Sequence, residues 1–188
     1  SREPKNPLEK ILTLKLAEKT DKYLEAAALV GTSTSETAGL IKKPVISTGS
    51  GYKSMDIKTS RFIQLDMSKQ GLRQTDKSQW KWFLQQLDSF KGENLFIFLS
   101  GSPDNFSDSL ESDLFKNILT KYRQETNRNI WVFFKGNKNE SYMYRGVKYI
   151  SSAGLDAEGI SPDNTDAAKY ILVTVKGGII TYEIKPII

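Results

Sequence analysis

The side chains able to do chemistry in this sequence are carboxylates, lysines, arginines, tyrosines and hydroxyls, because its 188 residues include no cysteine and no histidine. Without Cys there is no disulfide framework, thiolate nucleophile, zinc finger or iron–sulfur cluster. Without His there is no Ser-His-Asp triad, no imidazole base near neutrality and no imidazole metal ligand. The remaining polar groups recur where apolar runs end. Four such places are Gly31-Thr32-Ser33, Thr48-Gly49-Ser50-Gly51, Ser100-Gly101-Ser102-Pro103 and Gly136-Asn137-Lys138-Asn139. Ligand sites in α/β sheets gather at the carboxyl ends of strands, so these loops can surround one cleft. Glycine and serine also simply make turns after strands, and that reading stays open beside the first.

Three further constellations have chemical meaning. Two carboxylates flanking a cleft would suit glycoside hydrolysis. The candidates are Asp66, at a strand end, and Asp104, after Ser100-Gly101-Ser102-Pro103. Local roles compete with this: Asp66 can hydrogen-bond the Ser68/Lys69 turn, and Asp104 can support a Pro-Asp-Asn turn. Asp156-Ala157-Glu158-Gly159 and Asp163-Asn164-Thr165-Asp166 put oxygen ligands in one loop, as calcium sites do. Their spacing departs from the EF-hand pattern, and a solvated acidic loop is the expected reading. Trp80, Trp82 and Trp131 can stack on sugars; Trp80 and Trp131 lie on apolar faces and Trp82 is the one expected to be exposed.

These groups need a scaffold, and the composition supplies one. Hydrophobic residues make up 38% and aromatics 11%, which suits a folded domain with a sizeable core. The 27 Lys+Arg against 22 Asp+Glu give a net charge of +5, and the basic residues are scattered. Nucleic-acid binding is not expected, since that needs a clustered basic footprint. No apolar run is long enough for a membrane-spanning helix, so no membrane insertion is expected.

Periodicity places the elements. The spacing predicts a helix over 8–24, then strands at 26–31, 44–48 and 61–66, with 32–39 a Ser/Thr-rich loop. A second helix opens at 75–79 with the stripe Trp80, Phe83, Leu84 and Leu87. Residues 95–99 are continuously apolar, as in a strand covered on both faces. A helix over 109–123 carries Leu110, Leu114, Phe115, Ile118, Leu119 and Tyr122, and a strand follows at 130–134. Short strands at 142–144, 147–151, 170–175 and 179–184 suggest an antiparallel meander, with Lys176-Gly177-Gly178 as a hairpin turn. Residues 1–7 read as a disordered or linker segment and 8–188 as a single α/β domain, part of a larger protein.

The order and spacing of these loops resemble the calcineurin-like metallophosphoesterase family. The flanking text that carries the resemblance is Arg61-Phe62-Ile63-Gln64-Leu65-Asp66, a Gln-Trp helix, 95–99, Trp131-Val132-Phe133-Phe134 and Gly146-Val147-Lys148-Tyr149-Ile150. The resemblance implies two packed mixed β-sheets flanked by helices (α/β/β/α), with the first strand missing or replaced. That strand would carry the family's Asp-x-His. Where the family has Gly-Asp this sequence has Gly31-Thr32. Where it has Gly-Asn-His and an acid, this sequence has Gly49-Ser50-Gly51 and Tyr52. The strand-end His corresponds to Ser100 or Gly101, and Gly-His-x-His corresponds to Gly136-Asn137-Lys138-Asn139.

A two-metal phosphoesterase holds ions about 3.5–4 Å apart through a bridging carboxylate and nitrogen ligands. Neutral hydroxyls and amides replace neither, and Lys138 would repel cations. The resemblance therefore implies a non-catalytic domain without cofactor or metal, in which Thr32, Ser50, Tyr52, Ser100, Asn137, Lys138 and Asn139 mark the former metal cleft. Its expected partners are neighbouring domains of the same polypeptide, together with an anionic or carbohydrate ligand. The expected setting is a multidomain, secreted or surface-located bacterial protein. The alternative is an active phosphoesterase completed by residues outside this sequence.

Overall fold

The computed structural model describes residues 4–30, 35–48 and 51–188. Helix α1 (Pro7–Tyr23) starts where the Asn6 side chain accepts the Glu9 amide at 2.9 Å and Pro7 takes the first turn, a position that needs no donor. Asn6 is thus the cap of α1 and Pro7 its first residue. Strand β1 (Ala27–Leu29) pairs in parallel with β2 (Val45–Ser47) as a two-stranded unit. Ala28 is exposed, so β1 is covered on one face only. Between them a short helix, α2 (Ser35–Gly39), occupies part of the stretch expected to be loop.

The centre is a six-stranded mixed sheet. Its strands are β3 (Lys53–Ile57), β4 (Ser60–Gln64), β5 (Asn94–Leu99), β6 (Asn129–Lys135), β7 (Glu140–Tyr144) and β8 (Val147–Ser152), in the order β3-β4-β5-β6-β8-β7. The inner four, β4, β5, β6 and β8, run parallel, and the outer two are antiparallel to their neighbours. The crossovers are helical. Helices α3 (Leu72–Thr75) and α4 (Gln79–Ser89) join β4 to β5, and α5 (Ser109–Thr126) joins β5 to β6. Every residue of β5 is buried, as its unbroken apolar run predicts for a central parallel strand.

Two features depart from the periodicity. Strand β3 has only Met55 and Ile57 as apolar residues, too few to signal a strand, and is held by pairing with β4. The C-terminal part is not a simple meander. After β6 the chain makes the outer strand β7 first, and β8 then returns between β7 and β6, so that β8 lies parallel to β6. The last two strands, β9 (Lys169–Lys176) and β10 (Ile179–Pro186), form a separate antiparallel pair through the two-residue turn Gly177-Gly178. Gly177 has φ 59°, the left-handed region that such a turn requires.

Strand alternation sends side chains to two cores. Ile63, Leu65, Ile97, Leu99, Val132, Phe134 and Tyr149 meet Phe83, Leu87, Phe115 and Leu119 of the helices. Phe96, Phe98, Phe133 and Ile150 point the other way, to Ile46 of β2 and to Ile171, Val173, Ile180 and Tyr182 of the β9–β10 pair. Among the described residues this second layer comprises one parallel and one antiparallel strand pair. Helix α1 covers that layer from outside: Leu12 packs with Ala168 and Ile187, and Ala17 with Leu29 and Ile41. Leu84, Leu110 and Leu114, expected on buried stripes, are exposed on the outer faces of α4 and α5. No helix among the described residues is long and apolar enough to cross a membrane.

Candidate functional site

The parallel strands β4, β5, β6 and β8 bring their carboxyl ends to one edge, where Ser100-Gly101 follows β5 and Gly136-Asn137-Lys138-Asn139 follows β6. At the end of β4, Asp66 is buried and its carboxylate is fully engaged. One oxygen accepts the Gly51 amide at 2.8 Å and the other the Ser68 amide at 2.9 Å. Gln64 donates to the Gly51 carbonyl at 2.7 Å, so Gly51, just before β3, is fastened to the end of β4 through both its backbone groups. The Ser68 contact is the turn role that the sequence suggests for Asp66. Gln79, wholly buried, clamps the same place: its side-chain oxygen accepts the Asp66 amide at 2.7 Å, and its amide nitrogen donates to the Asp66 carbonyl at 2.8 Å.

Tyr52 follows Gly51 and leans toward the start of α4. Its ring lies 4.8 Å from that of Trp82, and its hydroxyl donates to Asp76 at 3.2 Å. The Asp76 carboxyl is held below its ordinary range, first by the Ser78 hydroxyl, then by the Ser78 amide, with Tyr52 adding to them. Trp82 is therefore half-buried against Tyr52 and not the exposed tryptophan of the sequence reading.

Further along the edge, beyond β6, is a pocket of about 340 Å³ lined by Phe134, Gly136, Asn137, Lys138, Glu140, Tyr142 and Ser151. Register explains the grouping. Glu140 stands opposite Ser151, Tyr142 opposite Tyr149, and Phe134 beside Ser151, so all of them share the face of the sheet that carries α4 and α5. The loop is tied down from below. Ser151 Oγ donates to the Lys138 carbonyl at 2.7 Å and accepts the Glu140 amide at 3.2 Å, while the Asn139 side chain accepts the Ala153 amide at 3.0 Å. A Cβ on Gly136 would lie 2.8 Å from Ser151 Cβ, which is why a glycine stands there.

Behind the pocket is an aromatic and charged support. Tyr142 and Tyr149 stack with centroids 4.9 Å apart and planes 4° from parallel. The Tyr142 hydroxyl faces Asp104 at 3.4 Å, and Asp104 is ion-paired with Lys116 of α5. Burial, then the negative Asp104, pushes the Tyr142 phenol up to about 12. Tyr149, buried beneath it, is raised for the same first reason and by the nearby tyrosines and Asp104. Asp104 does lie in the 3-10 turn Pro103–Asn105, as expected, but its carboxylate serves Lys116 rather than a partner acid.

The structure thus groups Asn137 and Lys138 in the pocket, with Asn139 fastening its loop. Ser100, at the end of β5, and Tyr52, just before β3 and beside the end of β4, share the edge but do not line this pocket. Thr32 and Ser50 lie outside the described residues. In the acidic loop, Asp156 pairs with Lys135 at 2.8 Å, while Glu158, Asp163 and Asp166 are exposed. Among the described residues no three carboxylates gather where they would hold a metal ion.

Sequence reasoning missed Glu140, Tyr142 and Ser151 as pocket residues. Pairing of β7 with β8 brings them together, and only the i, i+2 spacing of Glu140 and Tyr142 hints at it. It also missed Glu111, a buried carboxylate that accepts the Trp80 indole at 2.5 Å and the Arg73 amide at 2.8 Å, joining α5 to α3 and α4. Comparison with protein-family models, with characterised proteins and with solved structures finds no match.

Proposed function

We propose that this chain is a metallophosphoesterase-like domain that binds rather than catalyses, acting as a structural or ligand-binding module of a larger, surface-located protein. Two lines support the reading. The loop order resembles that family while lacking its ligand residues. The layers also succeed one another in a compatible way: α4 and α5, the six-stranded sheet, the two strand pairs, and α1 outside them.

The observation that carries it is the chemistry of the carboxyl edge. Asp66, the acid at the end of β4, gives both oxygens to backbone amides, and the loop after β6 offers Asn137 and Lys138. An edge of amides, hydroxyls, the Lys138 ammonium and the Glu140 carboxylate can hydrogen-bond a ligand. Among the described residues it has neither the cluster of acids nor the nitrogen ligands that a two-metal hydrolysis needs. Metal analysis after incubation with Mn²⁺ or Zn²⁺, paired with a chromogenic phosphodiester assay, tests this. The expected result is no stoichiometric metal and no turnover above buffer; bound metal with turnover would overturn the reading.

A further inference from the structure

We propose that the pocket beside the Gly136 loop takes a single pyranose ring, a carbohydrate rather than a phosphate anion. This deepens the reading above and rests on it. At about 340 Å³ the pocket has room for one ring rather than for a chain, since small-ligand pockets span about 300–1,000 Å³. Its lining mixes two kinds of surface. Phe134 and Tyr142 bring aromatic carbon; Asn137, Lys138 and Glu140 bring an amide, an ammonium and a carboxylate.

A pyranose presents the matching pair of surfaces. Its C–H face meets the electron-rich face of an aromatic ring, and its hydroxyls both donate and accept. Tyr142 is set for this before any ligand arrives. Tyr149 fixes the tilt of its ring, the hydroxyl faces Asp104, and 38% of the residue stays exposed. A ring already held loses little freedom on binding. Glu140 decides between the ligand classes. Its carboxylate accepts from sugar hydroxyls but repels a phosphate, and beside Lys138 it cancels the attraction that an anion would feel. The second ammonium nearby, Lys116, is already paired with Asp104.

Amide chemical shifts of the isotopically labelled chain, titrated separately with glucose, galactose, mannose, N-acetylglucosamine and inorganic phosphate, test the assignment. At least one sugar should shift the amides of 134–142 and 151 saturably. Tyr142→Ser and Glu140→Gln, both at exposed positions, should each raise its Kd by about tenfold or more. Unchanged shifts elsewhere would show that both variants fold. Saturation of the same amides by phosphate alone would overturn the carbohydrate assignment and leave the binding reading intact. Silence with all four sugars, or sugar shifts that survive both substitutions, would overturn it too. Turnover in the phosphodiester assay would instead overturn the binding reading on which it rests.

Discussion

Asp66 and Gly136 show how single positions set the carboxyl edge. Asp66→Ala removes the acceptor of the Gly51 and Ser68 amides. The expected cost is about 1–2 kcal/mol, with faster amide exchange at Gly51 as the local readout. Gly136→Ala forces a methyl against Ser151. Overpacking of this kind costs about 1–3 kcal/mol, to be read from the midpoint of urea unfolding. The tyrosine pair makes a pH prediction. The Tyr142 phenol lies higher in the folded chain, about 12, than its ordinary 10.0. The stability linked to its proton is therefore complete below pH 10 and lost as pH rises toward 12. Alkaline unfolding followed with phenolate absorbance should show this loss, and Tyr142→Phe should diminish it.

At the scale of elements, the helical crossovers are clamped to the sheet by buried side chains rather than by apolar contact alone. Gln79 satisfies both backbone groups of Asp66 and the Leu72 carbonyl. Gln79→Ala orphans these buried groups, for an expected loss of about 2–4 kcal/mol in denaturant unfolding. On the same helix, Leu87→Ala should cost about 2–5 kcal/mol, whereas Leu84→Ala, at a 44% exposed position, should stay within about 0.5 kcal/mol. That contrast also marks what the sequence could tell. The 3.6-residue stripe located α4 but not the width of its buried face, which depends on how far the helix overhangs the sheet. The apolar run of β5 announced its place at the centre. Strand β3 could not be seen, because its stability comes from pairing with β4 rather than from its own residues. Likewise the pocket became visible only once β8 was inserted between β6 and β7, which put Tyr142 against Tyr149 and Glu140 against Ser151.

For the molecule as a whole, the missing histidines and the folded edge lead to one account. A parallel sheet gathers its strand ends where catalysis or binding takes place, and this one gathers amides, hydroxyls, a lysine, the Glu140 carboxylate and two further carboxylates, Asp66 and Asp104, that are bound to backbone amides and to Lys116. The described layers add a core on each face of the sheet, so the edge is held rigidly from both sides. Such a frame suits a preorganised binding surface. The most direct test of that claim is phosphodiester hydrolysis by the purified chain after loading with Mn²⁺ or Zn²⁺, with bound metal measured on the same sample. The account predicts metal well below one ion per chain and hydrolysis no faster than buffer. Stoichiometric metal with hydrolysis that disappears on chelation would contradict it.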